Sequence, residues 1–270
     1  MAEMRRSGRS SAAGLIDTER YPLDHADAFI SRAHDGLRAG GVAILDGFLR
    51  AEVVDEIVGE CDALALQAHH SVTLGTPYLG LPEEGYPPDH PRRAEVRSSL
   101  AAVAYDLFPP DSLLRSLYES DELLDLVRRM LGREALYRYA DPLGALNVAV
   151  MRDGDELGWH FDMTDFVVSI ALQSSDEGGD FESATRVRSA TDEYYAAVAD
   201  VLAERHDPSS VSSVPMRPGT LMLFEGRYSM HRVTPIRGHV PRYVALLAYD
   251  TKPDTDSSEL LKLVRYGRLP

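Results

Sequence analysis

The stretch GWHFDMTDF, residues 158–166, holds the only tryptophan of the chain together with His160, Asp162 and Asp165 among apolar neighbours. On a β-strand, positions i and i+2 project to one face, so His160 and Asp162 present an imidazole and a carboxylate side by side while Trp159 and Phe161 face away. A nitrogen and an oxygen donor on one face make two thirds of the set that holds non-haem Fe(II), with open positions left for reactants. His231 offers a third donor. It lies in PGTLMLFEGRYSMHRVTP, where Pro218-Gly219 turns the chain into an apolar strand and a following strand carries the histidine. Further on, Arg242 opens the strand RYVALLAYD. A guanidinium on a buried strand requires a carboxylate, which a dicarboxylate cosubstrate would provide. The same H-x-D spacing at His25 and Asp27 is read as surface or capping polarity, because residues two apart on a helix start diverge.

These residues need elements to position them. From Ala135 the texture is strand-like: ALYRYA, ALNVAVM, FVVSIALQ, GTLMLFE and RYVALLAYD are short apolar or alternating runs divided by Gly, Pro and Asp. One helical insertion is expected over about 191–205. Upstream the periodicity is helical, over Asp24–Gly40, Ala51 to about Ala68, Ala94–Leu107, Asp111–Tyr118 and Asp121–Leu131, with VAILDGF a strand between the first two. Ser120 is placed as an N-cap and Gly132 as the stop of the last helix. Helices followed by many short strands predict a jelly-roll or barrel sheet with helices packed outside. Residues 71–95, with five prolines, form a long connection that is either a lid or a surface loop without a role. Residues 1–14 read as a disordered leader. The rest, 15–270, reads as one domain: helical to about 134, jelly-roll core about 135–253, and a C-terminal helix about 256–266.

The totals bound the function. With 270 residues, 44% hydrophobic, the chain can bury a sizeable core. Its 43 acids against 28 bases give a net charge of −15, which repels nucleic acids and anionic membranes. No run approaches the roughly 18 apolar residues of a membrane span, and no signal-peptide core follows the N-terminus, so a cytoplasmic protein is expected. Cys61 is the single cysteine, read as a buried core thiol; intrachain disulfides and thiolate metal clusters are excluded.

Taken together, DGDELGWHFD, VSIALQ, GGDFE, RPGTLMLFEGRYSMHRVTPIRG and PRYVALLAYDTKP resemble the Fe(II)/2-oxoglutarate-dependent oxygenases, within them the branch of free-amino-acid halogenases and hydroxylases that includes the lysine 4-halogenase. The resemblance spans roughly residues 95–270. It implies a double-stranded β-helix (jelly roll, cupin-like) with flanking N-terminal helices, an α+β chain with a mainly β core. It implies Fe(II) on His160, Asp162 and His231, with 2-oxoglutarate as cosubstrate held by Arg242 and dioxygen (O2) as oxidant. Succinate and CO2 would be released as an unactivated C–H bond is hydroxylated. Halogenases of that branch carry glycine where this chain has Asp162, so the resemblance implies hydroxylation rather than halogenation.

For substrate, the resemblance points to Arg97 for an amino-acid carboxylate, with Arg92 and Arg93 also at hand in PRRAEVRSSL. Leu143, Met163, Leu246 and Ala248 fall where lysine-acting members place polar or acidic groups, so an apolar side chain is expected. Asn147 is a candidate for hydrogen bonding the cosubstrate, Asp165 for reading an amino group, and Tyr266 for closing the pocket. Each also has a plain reading as packing or surface polarity. Desaturation or ring closure at the same iron, a carrier-bound amino acid, and a non-catalytic cupin-like binding module stay open as alternatives, as does the oligomeric state, a dimer included.

Overall fold

In the computed structural model, which describes residues 12–270, most strands of the second half curl into one antiparallel sheet whose two faces carry different chemistry, while Tyr137–Arg138 and Tyr249–Asp250 pair separately. The N-terminal part of the expected leader, residues 1–11, lies outside the described residues. Ala12–Leu15 (α1) is already packed, with Ala12 and Leu15 buried, so packing begins inside the stretch expected as leader.

Two helices, α2 (Asp27–Gly40) and α3 (Ala51–Leu64), flank strand β1 (Val42–Leu45). Gly41, left-handed at φ 65°, ends α2 as its αL cap. Strands β2 (His69–Gly75) and β3 (Val96–Val103) enclose the proline-rich connection. Helices α4 (Leu113–Glu119) and α5 (Asp121–Met130) follow, and the Ser120 hydroxyl accepts from Leu123 N at 3.2 Å to cap α5. Then come β4 (Tyr137–Arg138), β5 (Leu146–Met151), β6 (Glu156–His160), β7 (Val167–Gln173) and β8 (Phe181–Ala184). The chain closes with α6 (Tyr195–Leu202), β9 (Val211–Val214), β10 (Leu221–Phe224), β11 (Met230–Val233), β12 (Arg242–Leu247), β13 (Tyr249–Asp250) and α7 (Glu259–Tyr266). No helix of the described residues is long and apolar enough to cross a membrane.

The sheet runs β1-β10-β7-β12-β5-β3-β6-β11-β8-β9. This is a double-stranded β-helix, and β3 joins its halves. Ala101–Val103 pair with β5, Ser98–Ser99 with β6, and the other edge of β3 carries β2. Here the structure corrects the helix expected over 94–107. Ala-rich spacing favours a helix locally, but a strand at this place satisfies three neighbouring ladders and buries Leu100 to Val103. Only a short 3₁₀ turn, Tyr105–Leu107, remains helical there.

Strand alternation sorts the side chains. Val148, Val150, Val168, Ile170, Leu223, Tyr243 and Ala245 point outward, packing with the helices into the main core. Leu100, Ala149, Met151, Met222, Phe224 and Val233 point into the barrel. Cys61 sits fully buried in the main core, its thiol pushed up to about 12 by burial.

Candidate functional site

Inside the barrel lies a cavity of about 250 Å³, into which His160, Asp162, His231 and Arg242 all project. His160 and His231 are directly opposed across β6 and β11. Simple alternation along β6 would not aim His160 inward, since Leu157 already lines the cavity three residues before it. The pairing slips instead: His231 and Val233, two apart, face His160 and Leu157, three apart. This β-bulge carries one extra residue and re-aims His160 into the barrel. Gly158 lies inside the bulge, and a Cβ there would meet Arg97 O at 2.7 Å and Val96 Cβ at 2.9 Å.

Asp162 arrives differently from what strand spacing predicts, since β6 ends at His160. Beyond it Phe161 N donates to Pro77 O at 2.8 Å and Asp162 N to Gly226 O at 3.0 Å, pinning the aspartate against the β10–β11 connection. Gly226 makes room for it: a Cβ there would lie 1.7 Å from Asp162 Oδ2. Trp159 and Phe161 face away, as expected, into a separate cluster with Val198, Val201 and Met230.

The two imidazoles are held in one orientation. Their Nδ1–H groups donate to main-chain oxygens, His160 to Gly158 O at 2.8 Å and His231 to Ser229 O at 3.1 Å. This leaves both Nε2 atoms facing Asp162 Oδ1, at 3.9 Å and 3.6 Å. The three donors lie within 4.8 Å of one another. Asp162 Oδ2 is buried without a hydrogen-bond partner. A buried carboxylate oxygen left bare beside two imidazole nitrogens turned to the same point is a donor set able to hold a divalent cation.

Burial and the facing His231 hold His160 down to about 4, so its nitrogen is free near neutrality. Burial opposes protonation of His231 as well, but the Asp162 carboxylate raises it above the ordinary value. For Asp162 itself, burial disfavours the charge and the two histidines more than restore it, lowering its pKa.

Arg242 begins β12, is 7% exposed, and forms no ion pair with a carboxylate among the described residues; its one side-chain hydrogen bond is to Met151 Sδ at 3.9 Å. Burial lowers the guanidinium to about 10, against a weaker raising influence of Asp180. Gly179, at φ 72°, comes so close that a Cβ would meet Arg242 Cδ at 2.8 Å. The GGDFE turn thus packs along the arginine's stem.

The other expected residues divide. Leu246 and Ala248 line the cavity. Asn147 shares the inward face of β5 but is not part of the cavity wall, which Ala149 and Met151 supply. Leu143 and Tyr266 are buried in the inner apolar cluster outside the wall. Arg97 points out of the barrel, bound to Glu156 at 3.0 Å and Gly154 O at 3.2 Å, because it alternates with the inward Leu100 side of β3. Arg92 is spent on Glu83 and Tyr195, and Arg93 on Tyr86 O. Met163 is 71% exposed and Asp165 is paired with Arg227, both in the loop after the metal motif. His25 ends a short 3₁₀ turn, Asp27 pairs with Arg129, and neither lines the cavity.

The proline-rich connection stands apart from the cavity wall. None of its residues lines the cavity. Tyr78 packs on Phe161 with centroids 5.5 Å apart, and Arg92 stacks over Tyr78 at 4.7 Å, so the loop buttresses the outer side of the metal motif. Sequence reasoning missed three contributors: Gly226, the bulge at Gly158, and Arg265 of α7, which lines the cavity. Arg265 was legible only as part of a helical face with Lys262 and Tyr266.

Comparison with known proteins is consistent with this geometry. The model of the family Halogenase D matches residues 25–262. No curated protein matches in sequence. Among solved structures, the fold is similar to AviO1 from Streptomyces viridochromogenes, 18% identical, TM-score 0.55, covering 83% of this chain and 95% of that one. It is also similar to HygX from Streptomyces hygroscopicus, solved with nickel, 2-oxoglutarate and hygromycin B, at 15% identity and TM-score 0.55, covering 80% and 85%. A 2OG-Fe(II) oxygenase family oxidoreductase from Burkholderia pseudomallei is 14% identical, TM-score 0.51, covering 83% and 91%. At these identities the structural likeness speaks for the fold.

Proposed function

The chain belongs to the Halogenase D family, and on that premise we propose that it is an Fe(II)- and 2-oxoglutarate-dependent oxygenase that places a hydroxyl group, not a halogen, on an unactivated carbon of a small amino-acid-like metabolite. The observation that carries the choice is Asp162. Its carboxylate stands between His160 and His231, 3.9 Å and 3.6 Å from their Nε2 atoms, where the halogenases this chain resembles have glycine. A third protein donor fills the place a halide would need.

His160, Asp162 and His231 would hold the metal, and Arg242 the distal carboxylate of 2-oxoglutarate. With both bound, the centre supplies the oxidising power, coupling decarboxylation of the cosubstrate to succinate and CO2 with oxidation of a substrate C–H bond. The protein's own part is positional. Main-chain carbonyls lock both imidazoles in the Nε2-donor tautomer. The buried, unpaired Arg242 grips a carboxylate bidentately in a site that water does not screen. Leu246, Met222, Phe224 and Val233 exclude water and favour an apolar substrate body. A cavity of about 250 Å³ suits a free metabolite better than a carrier-tethered one. One buried thiol and no disulfide suit a reducing cytoplasm.

The test is anaerobic reconstitution with Fe(II), 2-oxoglutarate and chloride, then oxygen and a panel of free amino acids, scoring succinate and product mass. Expected are substrate-dependent succinate and a product heavier by one oxygen. A chlorinated product overturns the choice made on Asp162, and loss of two hydrogens assigns desaturation or ring closure instead. Succinate that does not vary across apolar and polar amino acids removes the substrate class.

A further inference from the structure

Helix α7 is amphipathic in the inverse sense. Its leucines face out, Leu260 being 72% and Leu263 46% exposed, while Lys262 and Tyr266 are buried and Arg265 lines the central cavity. Positions 262, 265 and 266 share one helical face through the i, i+3, i+4 spacing. Turning charge inward and leucine outward opposes the burial preference of both residue types, and such local conflict concentrates at functional sites.

Lys262 is provided for. Its ammonium lies 2.6 Å from Asp256 and 3.8 Å from Asp141. Arg265, one turn on and half-buried, makes neither an ion pair nor a hydrogen bond with any described residue. Burial holds its guanidinium below its ordinary pKa, with Tyr266 offsetting part of that. A cation at a cavity wall gives up hydration and regains it only when an anion arrives.

The wall shows which anion is wanted. Its charged groups are His160, Asp162, His231, Arg242 and Arg265. In the oxygenase reading the first three hold the metal and Arg242 takes the cosubstrate, so Arg265 is the one charge left for the substrate. The rest of the wall is apolar apart from a few hydroxyls, Ser169 and Tyr249 among them, both buried without partners.

We propose that Arg265 is a substrate-binding residue that receives the substrate's carboxylate, and that the substrate is therefore an acid with an apolar body. This rests on the oxygenase reading and moves carboxylate recognition from Arg97, which faces outward, to the C-terminal helix. The planar guanidinium donates to the two carboxylate oxygens as a fork.

The protein loaded with Ni(II) and 2-oxoglutarate is titrated calorimetrically with leucine, methionine and phenylalanine and with their carboxamides, which keep the amine and side chain but lose the acid. Wild type, Arg265→Gln and Arg265→Lys are compared, with thermal melting as a check on folding. We expect at least one acid to bind wild type roughly tenfold or more tightly than its carboxamide, a preference that Arg265→Gln abolishes and Arg265→Lys partly keeps. Affinity for 2-oxoglutarate should be unchanged by Arg265→Gln and lost in Arg242→Gln. Equal binding of acid and carboxamide, wild-type affinity in Arg265→Gln, or no binding by any acid of the panel overturns the assignment. Failure of wild type to load Ni(II) and 2-oxoglutarate strikes the oxygenase reading itself, and the inference with it.

Discussion

His160 and His231 present the same nitrogen for the same reason: each gives its Nδ1 proton to a carbonyl two residues earlier, Gly158 and Ser229. They differ in what a proton costs at Nε2. His160 is held down to about 4 by burial and by His231, whereas Asp162 keeps His231 above the ordinary 6.5 despite its burial. A raised histidine keeps its proton to higher pH than an ordinary imidazole, and below that point a metal must displace it. We therefore expect divalent-metal affinity to fall by about tenfold per pH unit as pH drops through the raised His231 value, with one proton released per metal bound. The sign follows from the direction of the shift, since protonated His231 stabilises the metal-free fold below its folded pKa and that contribution is lost as pH rises. Calorimetry in buffers of different ionisation enthalpy reads the proton directly. Release of two protons, or none, would mean that the Asp162 contact does not set the charge of the pair. At this scale the three side chains that the fold brings together were legible in the sequence because donor types cannot be disguised. The rest of the cavity wall was not, because whether Arg97 or Arg265 faces inward depends on the parity of a strand and the phase of a helix, which no single residue reveals.

At the scale of elements, the aspartate is held by a neighbour without a side chain. Gly226 comes so near Asp162 that a methyl group would lie 1.7 Å from Oδ2 and 2.5 Å from Cγ. Gly226→Ala should displace the carboxylate and weaken divalent-metal binding by at least roughly tenfold, a loss of one charge-assisted donor. Gly59 in α3 is the matched control, for its added Cβ meets nothing within 4 Å. Gly59→Ala should leave metal binding alone and stabilise the fold by up to ~1 kcal/mol. Metal titration and urea unfolding of both variants check this, and equal metal affinity in Gly226→Ala would show that the connection yields. The helices α2, α3 and α5 and most strands of the second half were readable from periodicity and caps. Strands β2 and β3 were not. In β2 almost every residue is exposed, so HHSVTLG carries no apolar alternation. In β3 the buried run SLAAV is equally good as a helix, and only its pairing with β2, β5 and β6 decides.

On the scale of the whole molecule, two unpaired guanidiniums sit inside a chain of net charge −15. A dianionic cosubstrate meets repulsion at long range and attraction only within the cavity. Salt screens the first more than the second, since charges beyond a Debye length of about 8–10 Å are screened while buried ones are not. We expect the association rate of 2-oxoglutarate to rise with ionic strength, the reverse of a steered encounter; stopped-flow binding at several salt concentrations measures it. A rate that falls with salt would show that the field at the cavity mouth is set by Arg242 and Arg265 rather than by the acidic exterior.

The slip between β6 and β11 has a consequence for how such a chain can change over generations. Substitutions around Leu157, Gly158 and Trp159 alter packing by degrees, whereas regular pairing of the same residues, without the bulge, would turn the His160 imidazole to the outside of the barrel. What is inherited is therefore the irregularity itself: at its present length the segment must stay bulged to keep His160 inward, while changes of length in the connections on either side should be tolerated.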